Sequence, residues 1–300
     1  MKRNAIIRIV LFSLAIVILL GILAAGLLAG FIIDHIDWDE YEWTLNLGQI
    51  DTIQGGTEES SFSVDPAKIK NISIDWAAGS VTVVPGSSDQ NVITVSESGA
   101  SGENMMVWKQ SGDTLKIEFS AARVHLGFHF DGSKDLTITV PQNWVCHELE
   151  LDAASADVHV SDLIINEVDF DGASGDCRFV NCQIDELELD TASGKVEFSG
   201  TLNSLVCDAA SADCVIHVTN VPRHIEMNSA SGDLELMLPE NCGFTLDLTA
   251  LSGSFRSDFT TTSQNGNFVF GDGSCRINVS ALSGNVNIRK TPSVAEIVTP

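Results

Sequence analysis

The stretch LELDTASGKVEF, residues 187–198, decides the fold. Apolar and polar residues alternate with a period of two on either side of a small-residue bend, which predicts two short strands meeting at a corner rather than a helix. Leu187, Leu189, Val196 and Phe198 point inward, while Glu188 and Glu197 point to solvent. Seven further segments lie over this one without gaps: ISIDWAAGSVTV (72–83), LELDAASADVHV (149–160), VDFDGASGDCRF (168–179), LVCDAASADCVI (205–216), IEMNSASGDLEL (225–236), LDLTALSGSFRS (246–257) and INVSALSGNVNI (277–288). From Ala156 the small bend residue recurs at Gly175, Gly194, Ala212, Gly232 and Gly253, in steps of 18 to 21 residues. The last step, to Gly284, is 31, so a longer excursion or an extra strand lies inside it.

Self-similarity with a period near 20 predicts a solenoid, in which no unit can bury its apolar face alone. Stacked units bring equivalent residues into columns about 4.8 Å apart. One such column is Val158, Cys177, Val196, Cys214, Leu234, Phe255 and Val286. Each large apolar side chain buried this way contributes about 1.5–3 kcal/mol, so the columns dominate stability. The fold class is therefore all-β, a parallel β-solenoid of about eight repeats of roughly 19–21 residues.

The fourth column reads Asp75, Asp152, Asp171, Asp190, Asp208, Asn228, Thr249 and Ser280. A stack of carboxylates so close together repels itself, which suggests a cation ladder. The alternative is an Asx- or ST-turn in which a short side-chain oxygen accepts a backbone N–H at the corner. Asn, Thr and Ser serve the turn but serve a calcium site poorly, so the turn is favoured. The small bend position tolerates Ala at 156 and 212, which favours close packing over a positive φ as its constraint.

The ASGD and ASG bends, the strand LTITVP (136–141) and the strand GDTLKIEF (112–119) resemble the DUF4097 family of β-strand-repeat proteins over roughly residues 60–290. That family is common in Gram-positive bacteria and often labelled adhesin-like. The resemblance implies a right-handed parallel β-solenoid on the outer face of a membrane, with no established reaction or ligand. Between Val84 and Val145 the strands NVITVSES, MMVWKQ and TLKIEF depart from the template, as antiparallel additions or a cap over the open end of the ladder.

The N-terminus indicates location. Ile9 through Ile33 carries no charge, and at about 1.5 Å per residue it exceeds the roughly 30 Å hydrocarbon core. Lys2, Arg3 and Arg8 precede it; Asp34, Asp37, Asp39, Glu40 and Glu42 follow, with Trp38, Tyr41 and Trp43 suited to the interface. The expectation is one transmembrane helix, with the N-terminus cytoplasmic and the remainder extracellular. A cleaved signal peptide competes, with Ala24, Ala25 and Ala29 as small residues, but its apolar region is usually about 7–15 residues. The expected organisation is a cytoplasmic tail (1–8), the span (9–33), a juxtamembrane linker (34–60), an irregular β-rich cap (61–145), the regular solenoid (146–290) and a tail (291–300).

Forty-one Asp and Glu against 16 Lys and Arg give a formal net charge of −25, which excludes a nucleic-acid binder resting on a basic groove. Seven cysteines is an odd count, so complete intramolecular pairing is impossible. Cys177, Cys207 and Cys214 fall in inward columns as small hydrophobes, whereas Cys146, Cys182, Cys242 and Cys275 fall near bends, where a bridge among them stays open. There is no CxxC, GxSxG or complete calcium-loop pattern. His125 and His129 with Asp131 are the one close histidine constellation, equally readable as one solvent face of a strand. A polysaccharide-active β-helix enzyme would need clustered basic residues to stabilise developing charge, and no such cluster is visible. No catalytic residue, cofactor or metal is assigned. The expected partners are the membrane, through the N-terminal helix, and a cationic peptide, a polyvalent cation or a protein. The leading expectation is an anchored surface module, adhesin-like or envelope-sensing, that acts through an acidic face. The alternative is a structural partner of a membrane regulatory complex in envelope homeostasis.

Overall fold

The computed structural model describes residues 53, 55–99, 105–120, 133–264 and 267–291. The expected span 9–33, its charged flanks, and the His125, His129 and Asp131 constellation lie outside them. Among the described residues no helix is long and apolar enough to cross a membrane. The one helical piece there is a 3-10 turn, Pro66–Lys68, capped by Asp65, whose side chain accepts from the Ala67 N–H.

Among the described residues eighteen strands join in one hydrogen-bonded sheet that repeatedly turns a corner. Each rung has a first arm, a corner and a second arm, and both arms pair in parallel with the same arms of the neighbouring rungs. Strand Asn71–Pro85 shows this directly: Asn71 to Trp76 lie opposite Glu148 to Ala153, and Ala78 to Val83 lie opposite Ser155 to Val160. Alternate residues on both arms face a single apolar core, which holds Ile72, Ile74, Leu149, Leu151, Leu187, Leu189, Val196 and Phe198 among many others. The period-two alternation and the stacked columns are thus as the sequence predicts.

The order of the rungs differs from the order of the repeats at both ends. At the start, Thr114–Glu118 pairs in parallel with the first arm of Asn71–Pro85, and Lys134–Val140 pairs in parallel with its second arm. These two strands make a ninth rung, whose corner is interrupted by an insertion, so the stretch read as irregular contains part of the ladder. At the far end, the first and second arms of 224–238 pair with 276–290. Only beyond that comes 244–257. The last two repeats are therefore exchanged in space, and Val286 rather than Phe255 follows Leu234 in the apolar column.

Antiparallel strands close both ends, as the ends of a solenoid require. At the start, Val107–Ser111 covers the first arm and Ile93–Ser98 covers the second. Ser61–Val64 extends this second-arm cover. Phe62 and Trp108 stack with ring centroids 3.9 Å apart, tying the two covers together. A buried ion pair fastens the cap to the rung: Lys134 Nζ lies 2.8 Å from Glu97 Oε1 and 4.3 Å from the centre of the Phe119 ring. The other Glu97 oxygen accepts from the Met106 N–H, and the Trp76 indole donates to the Lys134 carbonyl. At the far end, the 31-residue step contains the hairpin Thr262–Gln264 and Asn267–Phe270, which pairs antiparallel with Phe244–Leu246. Phe259 packs against Phe244 and Phe270 there.

The corner corrects two expectations. Gly194 has φ +112°, and a Cβ on it would lie 2.1 Å from the carbonyl oxygen of Gly175 in the preceding rung. Positive φ and close packing therefore act together, since L side chains avoid that backbone region. Ala156 and Ala212 do not share the positive φ, so their rungs turn the corner with a different backbone. The oxygen that accepts a backbone N–H across the corner is also displaced from the fourth column. It belongs to the residue after the small one, and it bridges rungs rather than closing a turn. Asp157 accepts from the Asp176 N–H at 2.8 Å, and Asp176 from the Lys195 N–H at 3.1 Å. Asp213 accepts from Asp233, Asp233 from Asn285, and Asn285 from Ser254. This is the work of the Asp in ASGD.

Asp233→Ala is expected to lower the unfolding free energy by about 1 kcal/mol, the scale of one such bond. Asp233→Asn, which keeps an acceptor oxygen, should recover most of it. Urea titration of the three proteins checks this, and equal loss in both variants would assign the effect to charge instead.

The candidate functional site is an acidic face on the first arm

Parallel in-register pairing has a chemical consequence on the outer face of the first arm. In the rung 148–160 the solvent-facing residues are Glu148, Glu150 and Asp152. Opposite them lie Glu167, Asp169 and Asp171. Opposite those lie Glu186, Glu188 and Asp190. Nine carboxylates thus form a three-by-three grid, spaced about 4.8 Å across the strands and roughly 6.6 Å along them. Asp75 extends one column past the grid, facing Asp152. Asp208 extends the same column at the other border, acting on Asp190 through space.

The grid fades toward both ends of the ladder. Toward the start, Asn71 and Ser73 stand in the columns of Glu148 and Glu150. A shallow hollow of about 210 Å³ opens there, lined by Ser73, Asp75, Lys116, Glu118, Glu150 and Asp152. Toward the far end, Asn228 follows Asp208 and donates to it at 2.8 Å. Beyond them Arg276, Asn278 and Ser280 occupy the same three columns. The second arm is built differently. Its outer face carries Arg178, 2.8 Å from Glu197, and Lys195, which also pairs with Glu197. Arg289 on the same arm pairs with Glu235. Opposite charges are interleaved there, whereas the first arm concentrates one sign.

Burial and that concentration together perturb Asp152 and Asp190 in the fourth column. Burial, then the neighbouring Asp171, Glu150, Asp75 and Asp169 charges, push the Asp152 carboxyl up to about 6. Burial, then Asp208, Asp171, Glu188 and Asp169, push that of Asp190 up to about 7. Burial raises Asp75 as well. The sequence brought out this column but not its two companions, because the template treated those positions as variable. The signal was present in their uniform sign.

The geometry bears on the ligand class. The carboxylates stand side by side on a sheet instead of converging on one point. Among the described residues no group of three or more His, Cys, Asp or Glu is placed to hold a metal ion. Of the histidines, His147 and His159 are exposed, and His224 lies 3.6 Å from Glu226. The grid offers an extended field of negative charge.

A family model of Toastrack DUF4097 proteins matches residues 69–289. The chain belongs to this family. The matched stretch runs from the start of strand Asn71–Pro85 to the end of the ladder, so the family signature coincides with the rungs. Solved structures similar to this DUF4097 chain include three from bacteria. A candidate cell adhesion protein of Clostridium sporogenes is 11% identical, with 79% of this chain and 100% of that one covered and a TM-score of 0.37. A candidate adhesin of Bacteroides fragilis is 12% identical over 76% and 95%, with a TM-score of 0.39. A candidate lipid binding protein of Parabacteroides distasonis is 15% identical over 79% and 98%, with a TM-score of 0.37. No curated protein matches the chain.

The raised carboxyls predict a pH dependence whose sign is fixed. A group whose pKa rises on folding from 3.8 stabilises the folded state most at low pH; this contribution is lost as pH climbs through about 6 for Asp152 and about 7 for Asp190. The melting temperature should therefore rise as pH falls from about 8 to about 5.5. Asp190→Asn should raise it at the upper end and flatten the slope. A profile that falls with acidification over this window, or is unchanged in the variant, would contradict the arrangement.

Proposed function

We propose that the chain is a membrane-anchored surface module whose solenoid stands outside the cell and binds an extended cationic partner on the acidic grid. The observation that carries this reading is the grid itself. Like charges directly opposite one another on neighbouring strands are destabilising, by about 0.2–1 kcal/mol a pair. The second arm shows that this fold accommodates interleaved charge, so uniform acidity on the first arm is a cost that binding would offset. A field of one sign on a rigid face speeds encounter with an oppositely charged ligand and repels anionic polymers. Because the carboxylates do not converge, a polycationic peptide suits them better than a single chelated ion. Nothing in this reading requires catalysis. The apolar, charge-free run 9–33, with its basic flank before and acidic flank after, supports the anchor and its orientation.

An oligolysine peptide is a suitable probe. Binding should weaken severalfold as ionic strength rises from about 0.01 to 0.15 M, where the screening length shrinks from about 30 to 8 Å. The triple variant Glu150→Gln, Glu167→Gln and Glu188→Gln should bind much more weakly at low salt. Equal binding by the variant, or affinity indifferent to salt, would remove the grid as the site. The anchor has its own test: deleting residues 1–33 should release the protein from the membrane fraction of cells, and its retention there would count against the span.

A further inference from the structure

All seven cysteines are buried as free thiols; Cys242 meets Cys275 beside the end hairpin, and Cys207 meets Cys214 inside a single rung. Cys207 lies on the first arm of the rung 205–216 and Cys214 on the second, at the two inward positions that flank the corner. Elsewhere these positions hold Ile74 and Val81, Leu151 and Val158, Leu189 and Val196, Met227 and Leu234, or Val279 and Val286. The rung 205–216 places a thiol at both, and the two Sγ atoms are 3.4 Å apart. A disulfide bond measures about 2.05 Å, so modest side-chain rotation closes the gap. The sequence columns gave both residues as separate core fillers; the corner is what turns one toward the other.

We propose that Cys207 and Cys214 form an intramolecular disulfide that clasps the corner of this rung and closes while the chain folds. The oxidant is a disulfide donor, either oxidised glutathione or the active disulfide of a thiol oxidoreductase. One cysteine thiolate attacks a donor sulfur, forming a mixed disulfide and releasing the first donor thiol. The second cysteine thiolate then attacks the protein sulfur of that mixed disulfide, forming the Cys207–Cys214 bond and releasing the second donor thiol. The two cysteines give up two electrons and two protons, and the donor takes up both. Timing follows from burial. In the folded reduced chain Cys207 is 1% and Cys214 0% exposed, so no donor reaches them. The hydrogen bond from its partner, together with burial, also raises the Cys207 thiol well above its ordinary value, which removes the thiolate. Once the corner has closed, the same burial shields the bond from reductants. This inference is independent of the proposed cationic partner.

The test starts from reduced, denatured full-length chain, refolded either in a glutathione redox buffer or in excess reductant. Each sample is alkylated in denaturant and cleaved before aspartate residues. Cleavage at Asp208 and Asp213 separates the two cysteines into peptides 190–207 and 213–232. In the redox-buffered sample these peptides should remain joined, lighter by two hydrogens and without alkyl groups on either cysteine. In the reduced sample they should separate, each alkylated. Recovery of Cys207 and Cys214 as alkylated single peptides from the redox-buffered sample would overturn the proposal, as would a link from either one to any of the other five cysteines.

Discussion

At every glycine corner the backbone of one rung comes so close to the carbonyl of the next that no side chain fits between them, and this contact governs the rest of the structure. It fixes the distance between rungs at the bend, while the parallel ladders of the two arms fix it on either side. The aspartate after the glycine adds a second tie by accepting the N–H of its counterpart one rung on. Register is then determined three times over within a dozen residues, and a slip by one would turn the apolar columns outward. The columns in turn supply the hydrophobic stabilisation that a single repeat could never gather. The ladder of aspartates is interrupted where Lys195 takes the position, since a lysine offers no acceptor; there the arms alone maintain register.

Strict register decides the surface as firmly as the core. When equivalent residues must lie side by side, any preference at one position is multiplied along the ladder. On the inside that multiplication yields continuous apolar stripes. On the first arm it assembles nine carboxylates that are scattered over some forty residues of sequence. Partial burial and mutual repulsion push two of them, Asp152 and Asp190, up to about 6 and about 7. The second arm, under the same register, spreads its charge into opposite-sign pairs within and between rungs, so the asymmetry between the arms lies in the sequence and is not forced by the fold.

Much of this was legible in the residues. The alternation around LELDTASGKVEF specified strands, the repeats specified stacking, and the departures after Val84 pointed to antiparallel additions or a cap, of which 93–98 and 107–111 are the covering strands. Two features were not legible, for a shared reason. Overlaying repeats reports likeness and not adjacency, so it could not tell that 277–288 slips between 225–236 and 246–257. Nor could gapless overlay recognise a rung split by an insertion at its corner, as in 114–118 and 134–140. The corner hydrogen bond was assigned to the wrong aspartate, because short polar residues before a bend usually close a local turn; here the neighbouring rung offers its own N–H to the residue after it. The acidic face was glimpsed as one column, and seeing the other two required knowing which variable positions share an outer face.

The exchanged order of the last two repeats has a bearing on how the chain reaches its final form. During synthesis each repeat up to 225–236 can add to a growing edge as soon as it appears. The next repeat, 246–257, has no such edge, because its seat is supplied by a strand that has yet to be made. It must wait, together with the hairpin that follows it, until 277–288 arrives and both settle as one unit. The final quarter of the chain is therefore cooperative in a way the earlier repeats are not, and a chain that stops short of 277 would leave a finished ladder trailing an unseated repeat.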